Sequence, residues 1–281
     1  LTDKADRWLK RFEASHARER RIGVTKHFHI HSEADLDAAL AALGKADVRF
    51  GALLVKTGRP PLRRREDGFA GLAAIIVAQQ LSTASANAIW GRLAKAFDPL
   101  DPAAILRARP AKLARVGLSG PKIRALKAIA GAVAKGELAL AALAELEAED
   151  AHAALTAVHG IGPWTADIYL LSCLGHADAW PAGDLALQEA ARIAFELPAR
   201  PTAKDMQVLA EPWRPWRAVA ARILWSYYRA VAEAAKAAKT ISEETTKRAI
   251  KPSRKKKPAS PKREKATAKL RRRKTQARRP R

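Results

Sequence analysis

The stretch Leu155-Thr-Ala-Val-His-Gly-Ile-Gly-Pro-Trp-Thr-Ala-Asp167 decides how this 281-residue chain is read. Apolar residues at helical spacing stand on both sides of Gly160-Ile-Gly162, so the stretch reads as two helices joined by a very short turn. Gly160 and Gly162 permit positive φ and close backbone approach, and Pro163 suits the first position of the second helix, whose leading amides then point outward. Backbone N–H groups and the helix dipole make such a start a site for an anion. A nucleic-acid phosphate is one occupant; an ordinary helical corner without a ligand is the other reading these residues allow.

Alanine, leucine and arginine dominate the rest of the chain, and strand-like alternation is scarce, which predicts an all-α body. The spacing predicts helices at about 33–43, 68–80, 83–97, 102–107, 111–115, 121–134, 138–145, 150–157, 163–174, 184–195, 204–209 and 215–235. Asp101-Pro102, Gly120-Pro121 and Gly162-Pro163 each put a proline near a helix start. His27-Phe-His-Ile-His31 is the one place where a strand is expected. Its three alternating histidines lack an acidic or cysteine partner at ligand spacing, so no metal is assigned to them.

Hydrophobic residues make up 48% of the chain, enough for a buried core. No apolar run approaches the roughly 18–20 residues of a membrane span, and the first residues are charged, so a cytoplasmic address is expected. The single cysteine, Cys173, excludes an intrachain disulfide, a Cys-ligated iron–sulfur cluster and a multi-cysteine zinc site; in Leu170-Leu-Ser-Cys-Leu174 it reads as core packing. The net charge of +24 is unevenly placed. Residues 236–281 carry 20 Lys/Arg against 3 Asp/Glu, which leaves the body only mildly basic. Runs such as Arg254-Lys-Lys-Lys257 and Arg271-Arg-Arg-Lys274, with almost no large apolar residues, predict a disordered tail that adds salt-sensitive phosphate contacts. The expected organisation is a charged leader at 1–25, a helical body at 26–235 with its hairpin at 151–174, and the tail at 236–281.

Four ordered blocks resemble the helix-hairpin-helix superfamily of base-excision DNA glycosylases, and within it the 3-methyladenine glycosylase II branch. They are Ile75-Ile-Val-Ala-Gln-Gln-Leu-Ser82, Gly117-Leu-Ser-Gly-Pro-Lys-Ile-Arg124, the hairpin with Trp180-Pro-Ala-Gly-Asp184, and Trp213-Arg-Pro-Trp-Arg-Ala-Val-Ala-Ala-Arg-Ile-Leu-Trp225. The resemblance runs from about residue 30 to 232. It implies the HhH-GPD fold, two helical lobes with a cleft, and a monofunctional glycosylase that flips alkylated purines out of duplex DNA. It implies a monomer acting on the bacterial nucleoid, with damaged double-stranded DNA as its partner and no cofactor. Relatives hold a monovalent cation on the hairpin carbonyls, which the resemblance extends to this chain.

By the same resemblance Asp184 is the catalytic carboxylate, beside its ordinary reading as the N-cap of a helix. Lengthening of an N-glycosidic bond builds positive charge on the sugar, and a fixed carboxylate stabilises it. Trp164, Trp225 and Ile168 are expected around the base, where electron-rich rings suit a cationic alkylated purine. Gln80 or Leu81 enters the base stack; a helix-end decoration is the alternative for the glutamines. Gly160, Ile161, Gly162, Thr165 and Lys122 are expected at phosphates. Trp164 stands where lyase members carry a nucleophilic lysine, so no imine is expected. Asp167 matches a polar position and not the catalytic one, while Lys122, Arg124, Arg217 and Arg222 also suit a solvated face. The remaining readings are a non-enzymatic DNA-bridging protein, and a glycosylase for oxidised, deaminated or mispaired bases.

Overall fold

The computed structural model describes residues 28–250, with side chains described through residue 240. The leader at 1–25 and residues 251–281 of the expected tail lie outside the described residues. The chain divides into two compact units, Leu1–Ala235 and Lys236–Arg281. Of the second, residues 236–250 are helical, as the end of a helix that the sequence reading stops at 235. No described helix is long and apolar enough to cross a membrane.

The described body is helical. One lobe opens with α1 (Glu33–Ala46) and α2 (Arg49–Thr57) and is completed by α10 (Leu185–Ala194), α11 (Ala203–Ala210), a 3-10 turn at Glu211–Trp213 and α12 (Arg217–Ile250). The other lobe runs through α3 (Gly68–Ala78), α4 (Thr83–Ala96), α5 (Pro102–Arg107), α6 (Pro110–Arg115), α7 (Gly120–Ala134), a 3-10 turn at Leu140–Glu145, α8 (Ala148–Thr156) and α9 (Pro163–Tyr169). Local chemistry starts several of these helices. Ser32 and Thr202 each build a capping box, with Asp35 and Asp205 respectively, and Asp101 caps α5 ahead of Pro102.

In the first lobe everything converges on Trp213, which is fully buried. Its indole N–H donates to Asp47 Oδ2 (3.0 Å), and its ring meets Phe50, Trp180 and Phe195 at centroid distances of 5.0, 5.5 and 5.7 Å. Such aromatic contacts contribute about 0.5–1.5 kcal/mol each beyond the area they bury. They explain α2, a helix the periodicity does not predict. It is short, starts at Val48 without a side-chain cap and contains Gly51, so burial of Phe50 and Leu53 holds it.

The other departures have similar causes. The helix expected over 163–174 changes at Leu170–Leu174 into a π-helical turn that ends on left-handed Gly175 (φ 78°). Its last carbonyls are taken by groups distant in sequence: Leu171 O by Arg222 (3.2 Å), Ser172 O by the Arg65 amide (2.8 Å) and Cys173 O by Arg64 (2.7 Å). Arg222 also donates to Leu62 O, so this buried guanidinium is a structural clamp and not a surface or phosphate group. Arg217, 5% exposed, binds Asp178 through two nitrogens (2.7 Å each) and Glu149 at 3.0 Å, and Arg214 reaches the same two carboxylates. Paired charges of this kind are costly to break from one side. The expected strand at 27–31 amounts, from residue 28 onward, to a single bridge between His29 and His176. Cys173 is buried, and burial pushes its thiol up to about 11.

The hairpin between α8 and α9 is packed directly on α7. Gly160 has φ +93°, and a Cβ added there would stand 2.6 Å from Ala125 Cβ and 2.8 Å from its Cα. Gly162 differs from the expectation: its φ is −85° and a Cβ there would meet no atom within 4 Å. Gly160→Ala is expected to cost about 2–4 kcal/mol, combining left-handed strain with overpacking. A shift of the denaturant midpoint smaller than that of Gly162→Ala would overturn this account.

Asp167, on α9, lies 3.7 Å from His152 and is largely enclosed; burial pushes its carboxyl up to about 8, against the opposing pull of Arg217. The folded protein therefore holds a proton there that the unfolded chain releases near pH 4, and stability falls as pH rises from about 4 to 8. Asp167→Asn removes that loss. Its stability relative to the parent should rise by roughly 3 kcal/mol between pH 5 and pH 8, read by denaturant unfolding at the two pH values; a constant difference would refute the assignment.

Candidate active site

Asp184 ends a tight loop that begins at Trp180. The Trp180 indole is pinned to Met206 O (3.0 Å), the Ala182 amide turns back onto Trp180 O (2.8 Å), and the Gln188 side chain donates to Ala182 O (2.9 Å). The loop therefore delivers Asp184 to the first turn of α10, where it is half-buried. Its Oδ1 accepts from the Leu187 amide (2.8 Å) and from Trp225 Nε1 (3.1 Å); its Oδ2 accepts from Trp164 Nε1 (2.8 Å). The helix cap thus uses Oδ1, and Oδ2 is held by one indole alone. Oδ1 is fully occupied, whereas Oδ2 keeps one lone pair open to a sugar or a water.

The two tryptophans expected as pocket walls have this second role, which their positions in the sequence do not reveal. Trp164 comes from α9, Trp225 from α12, and both are partly exposed. Each indole edge orients the aspartate through its N–H and leaves the ring partly exposed. Ile168 stands one helical turn beyond Trp164 on the same face of α9 and is partly buried. Asp167, one turn of α9 beyond the hairpin, is enclosed, and burial pushes its carboxyl up to about 8, which favours its neutral form.

Beside this carboxylate lies a groove of ≈ 630 Å³ lined by Gln79, Gln80, Gly160, Ile161, Gly162, Trp164 and Thr165. Trp164 belongs to both places, since it lines the groove and holds Asp184. The hairpin contributes less side-chain chemistry than expected. Ile161 is buried and its amide donates to Val158 O (3.1 Å), while Thr165 is buried with its hydroxyl accepting from Gln79 Nε2 (2.7 Å). The groove is therefore bordered by backbone at Gly160 and Gly162, where nothing crowds the outer face of Gly162.

α3 ends at Ala78, two residues before the expected boundary, and Gln79-Gln80 form a turn instead of a helix end. Gln80 sits at φ +56° and is exposed, as is Leu81 (39%). Gln79, which the sequence reading leaves as decoration, is anchored on the hairpin helix. Lys122 also departs from expectation: its Nζ donates to Val77 O (2.7 Å) and Gln79 O (2.9 Å), so it faces backbone carbonyls rather than a phosphate. Of the other tryptophans, Trp180 and Trp213 are core, Trp90 and Trp216 are partly buried against it, and Trp8 lies outside the described residues. Among the described residues no group of three or more His, Cys, Asp or Glu is arranged to hold a metal; His29 packs against His31 and His176 at centroid distances of 5.3 and 4.6 Å.

Known proteins resemble this chain in sequence and fold. The chain is 34% identical over 204 residues to a Mycobacterium tuberculosis protein named a probable bifunctional transcriptional activator/DNA repair enzyme AlkA, covering 69% of this chain and 40% of the relative. It thus spans about two fifths of that relative's length. A Bacillus halodurans DNA-3-methyladenine glycosidase structure superposes with TM-score 0.63 at 28% identity, over 74% of this chain and 95% of that one. The Schizosaccharomyces pombe 3-methyladenine DNA glycosylase bound to abasic DNA gives TM-score 0.61 at 29% identity, over 67% and 95%. Residues 73–215 match the family model, a span that holds the Gln79-Gln80 turn, the hairpin and Asp184. This chain belongs to the HhH-GPD superfamily of base excision DNA repair proteins.

Proposed function

We propose that this protein is a monofunctional DNA glycosylase that flips an alkylated purine, 3-methyladenine or 7-methylguanine, out of duplex DNA and hydrolyses its N-glycosidic bond to leave an abasic site. The observation that carries this reading is the open lone pair of Asp184 Oδ2, aimed from a carboxylate held by two indoles and an amide. As the C1′–N bond breaks, its electron pair leaves with the base. Positive charge grows on the sugar facing the carboxylate, and a water that Oδ2 orients adds to C1′ and passes its proton to Oδ2. A purine alkylated at N3 or N7 is already cationic and a good leaving group, so this modest machinery suffices. The aromatic faces of Trp164 and Trp225 favour it by cation–π attraction. The Bacillus halodurans and Schizosaccharomyces pombe proteins carry 3-methyladenine in their names, which supports the same substrate class.

The hairpin is read as the phosphate grip through the amides of Gly160 and Gly162, with Gln80 or Leu81 filling the gap left by the flipped nucleotide. Val158 O and Gly162 O each accept one amide, from Ile161 (3.1 Å) and Ala166 (3.1 Å), and keep a second lone pair. They fit the monovalent cation that relatives hold there, which would add positive charge near the phosphate. The absence of lyase activity follows from Trp164 at the position after the hairpin, because an indole nitrogen forms no imine. The working form is read as a monomer on nucleoid DNA, and the basic residues after 235 as an aid to non-specific affinity.

Asp184→Asn keeps the helix cap and removes the charge. Single-turnover release of 3-methyladenine or 7-methylguanine should fall at least about 100-fold while binding to the duplex persists. If the parent protein releases no base although it binds DNA, the enzymatic reading fails and a DNA-bridging role takes its place. Trp164→Phe keeps a ring over the base and deletes the N–H to Oδ2. A loss of roughly tenfold in the single-turnover rate, with affinity for lesion DNA kept, is the expected outcome. An unchanged rate would remove Trp164 from the machinery that orients Asp184.

A further inference from the structure

We propose that Lys122 is a positioning residue for the DNA wedge: its ammonium locks the turn that presents Gln80 and Leu81, a turn that Gln79 joins to the hairpin helix. This rests on the wedge reading above. It begins from the end of α3, whose last carbonyls have no intrahelical donors. Lys122 Nζ donates to two carbonyls at that end, Val77 O at 2.7 Å and Gln79 O at 2.9 Å. Burial of the ammonium lowers its pKa from the ordinary lysine value, as expected for a group turned inward.

The turn it holds is a demanding one. Gln79 has φ −52° and ψ 131°, Gln80 has φ +56°, and the Leu81 amide closes the turn onto Ala78 O at 3.3 Å. That geometry normally calls for glycine at the position Gln80 occupies. A glutamine persists there only if its surroundings fix the backbone. Lys122 does so from the α7 side, and Gln79 does so from the opposite side through its bond to the buried Thr165 of α9 (2.7 Å). The residue next to Thr165 is Trp164, which holds Asp184. Turn, hairpin helix and catalytic carboxylate are therefore linked by two hydrogen bonds through the adjacent residues Thr165 and Trp164, and the wedge has a set register to the phosphate grip before DNA arrives. Lys122 acts through this turn and not by touching DNA.

The test uses the full chain and lesion duplexes carrying 2-aminopurine beside the lesion, whose fluorescence rises on unstacking. Lys122→Met should lower the fluorescence reached at saturating protein by about half or more, and slow single-turnover excision roughly tenfold. The Kd should change by less than about threefold, with an unaltered salt slope. Lys122→Arg, which keeps a donor for the carbonyls, should recover most of both signals. A lysine on a phosphate would behave in reverse: weaker binding, a salt slope smaller by about one, and full fluorescence at saturation. That result, or no change at all, overturns the proposal. Should Lys122→Met melt below the assay temperature, Thr165→Val breaks the other half of the linkage and must lower the same fluorescence signal. The fluorescence needs no bond cleavage, so a parent protein that unstacks DNA without releasing base defeats the glycosylase reading alone. One that leaves the base beside the lesion stacked defeats the wedge, and Lys122 with it.

Discussion

Three N–H groups from three helices meet on one carboxylate, and the candidate site depends on that convergence. Trp164 of α9, Trp225 of α12 and the first turn of α10 all donate to Asp184. α9 belongs to the hairpin lobe, while α10 and α12 belong to the other. A half-buried carboxylate with three donors is favourable only where all three stay in place, because an indole N–H left without its acceptor costs roughly 1–3 kcal/mol. The two lobes are thereby held together at Asp184. One lone pair on Oδ2 remains as the group available to chemistry.

The supports behind this point are arginines that an arginine-rich sequence suggests placing on the surface. Arg217 and Arg222 are buried, the first on Asp178 and Glu149, the second over carbonyls at Leu62 and Leu171. Both lie on α12 ahead of Trp225. The helix that delivers one of the two indoles is thus tied to the hairpin lobe by charge-assisted bonds before it reaches Asp184. These pairs matter through the cost of breaking them, since a lone buried charge is far less stable than a paired one. The same logic applies to Lys122, whose loss would leave carbonyls at the end of α3 without donors.

Asp184 shows how a structural role and a proposed chemical role share one side chain. As an N-cap it uses one oxygen; as a candidate catalyst it presents the other. Asp167, on the same hairpin helix as Trp164, shows the opposite case. Burial pushes its carboxyl up to about 8 and so favours the neutral form. The distinction rests on environment and not on residue type.

The all-α class, the proline-started helices and the hairpin were legible from residue order, because helical periodicity and Gly-Ile-Gly-Pro chemistry are local properties. The blocks that reveal the family were legible in the same way, and they single out Asp184 as the candidate carboxylate with Trp164 and Trp225 beside it. What needed the tertiary structure was every assignment that depends on a partner distant in the chain. α2 forms because Phe50 has Trp213 to pack on; the carbonyls at the end of α3 meet Lys122 of α7; Thr165 and Ile161 turn inward because Gln79 and the core claim them. Periodicity records which face of a helix is apolar, but it carries no information about which donor from another helix will reach a given carbonyl. That choice is made only when the chain closes on itself and the cost of an unpaired buried group selects among the contacts the sequence allows.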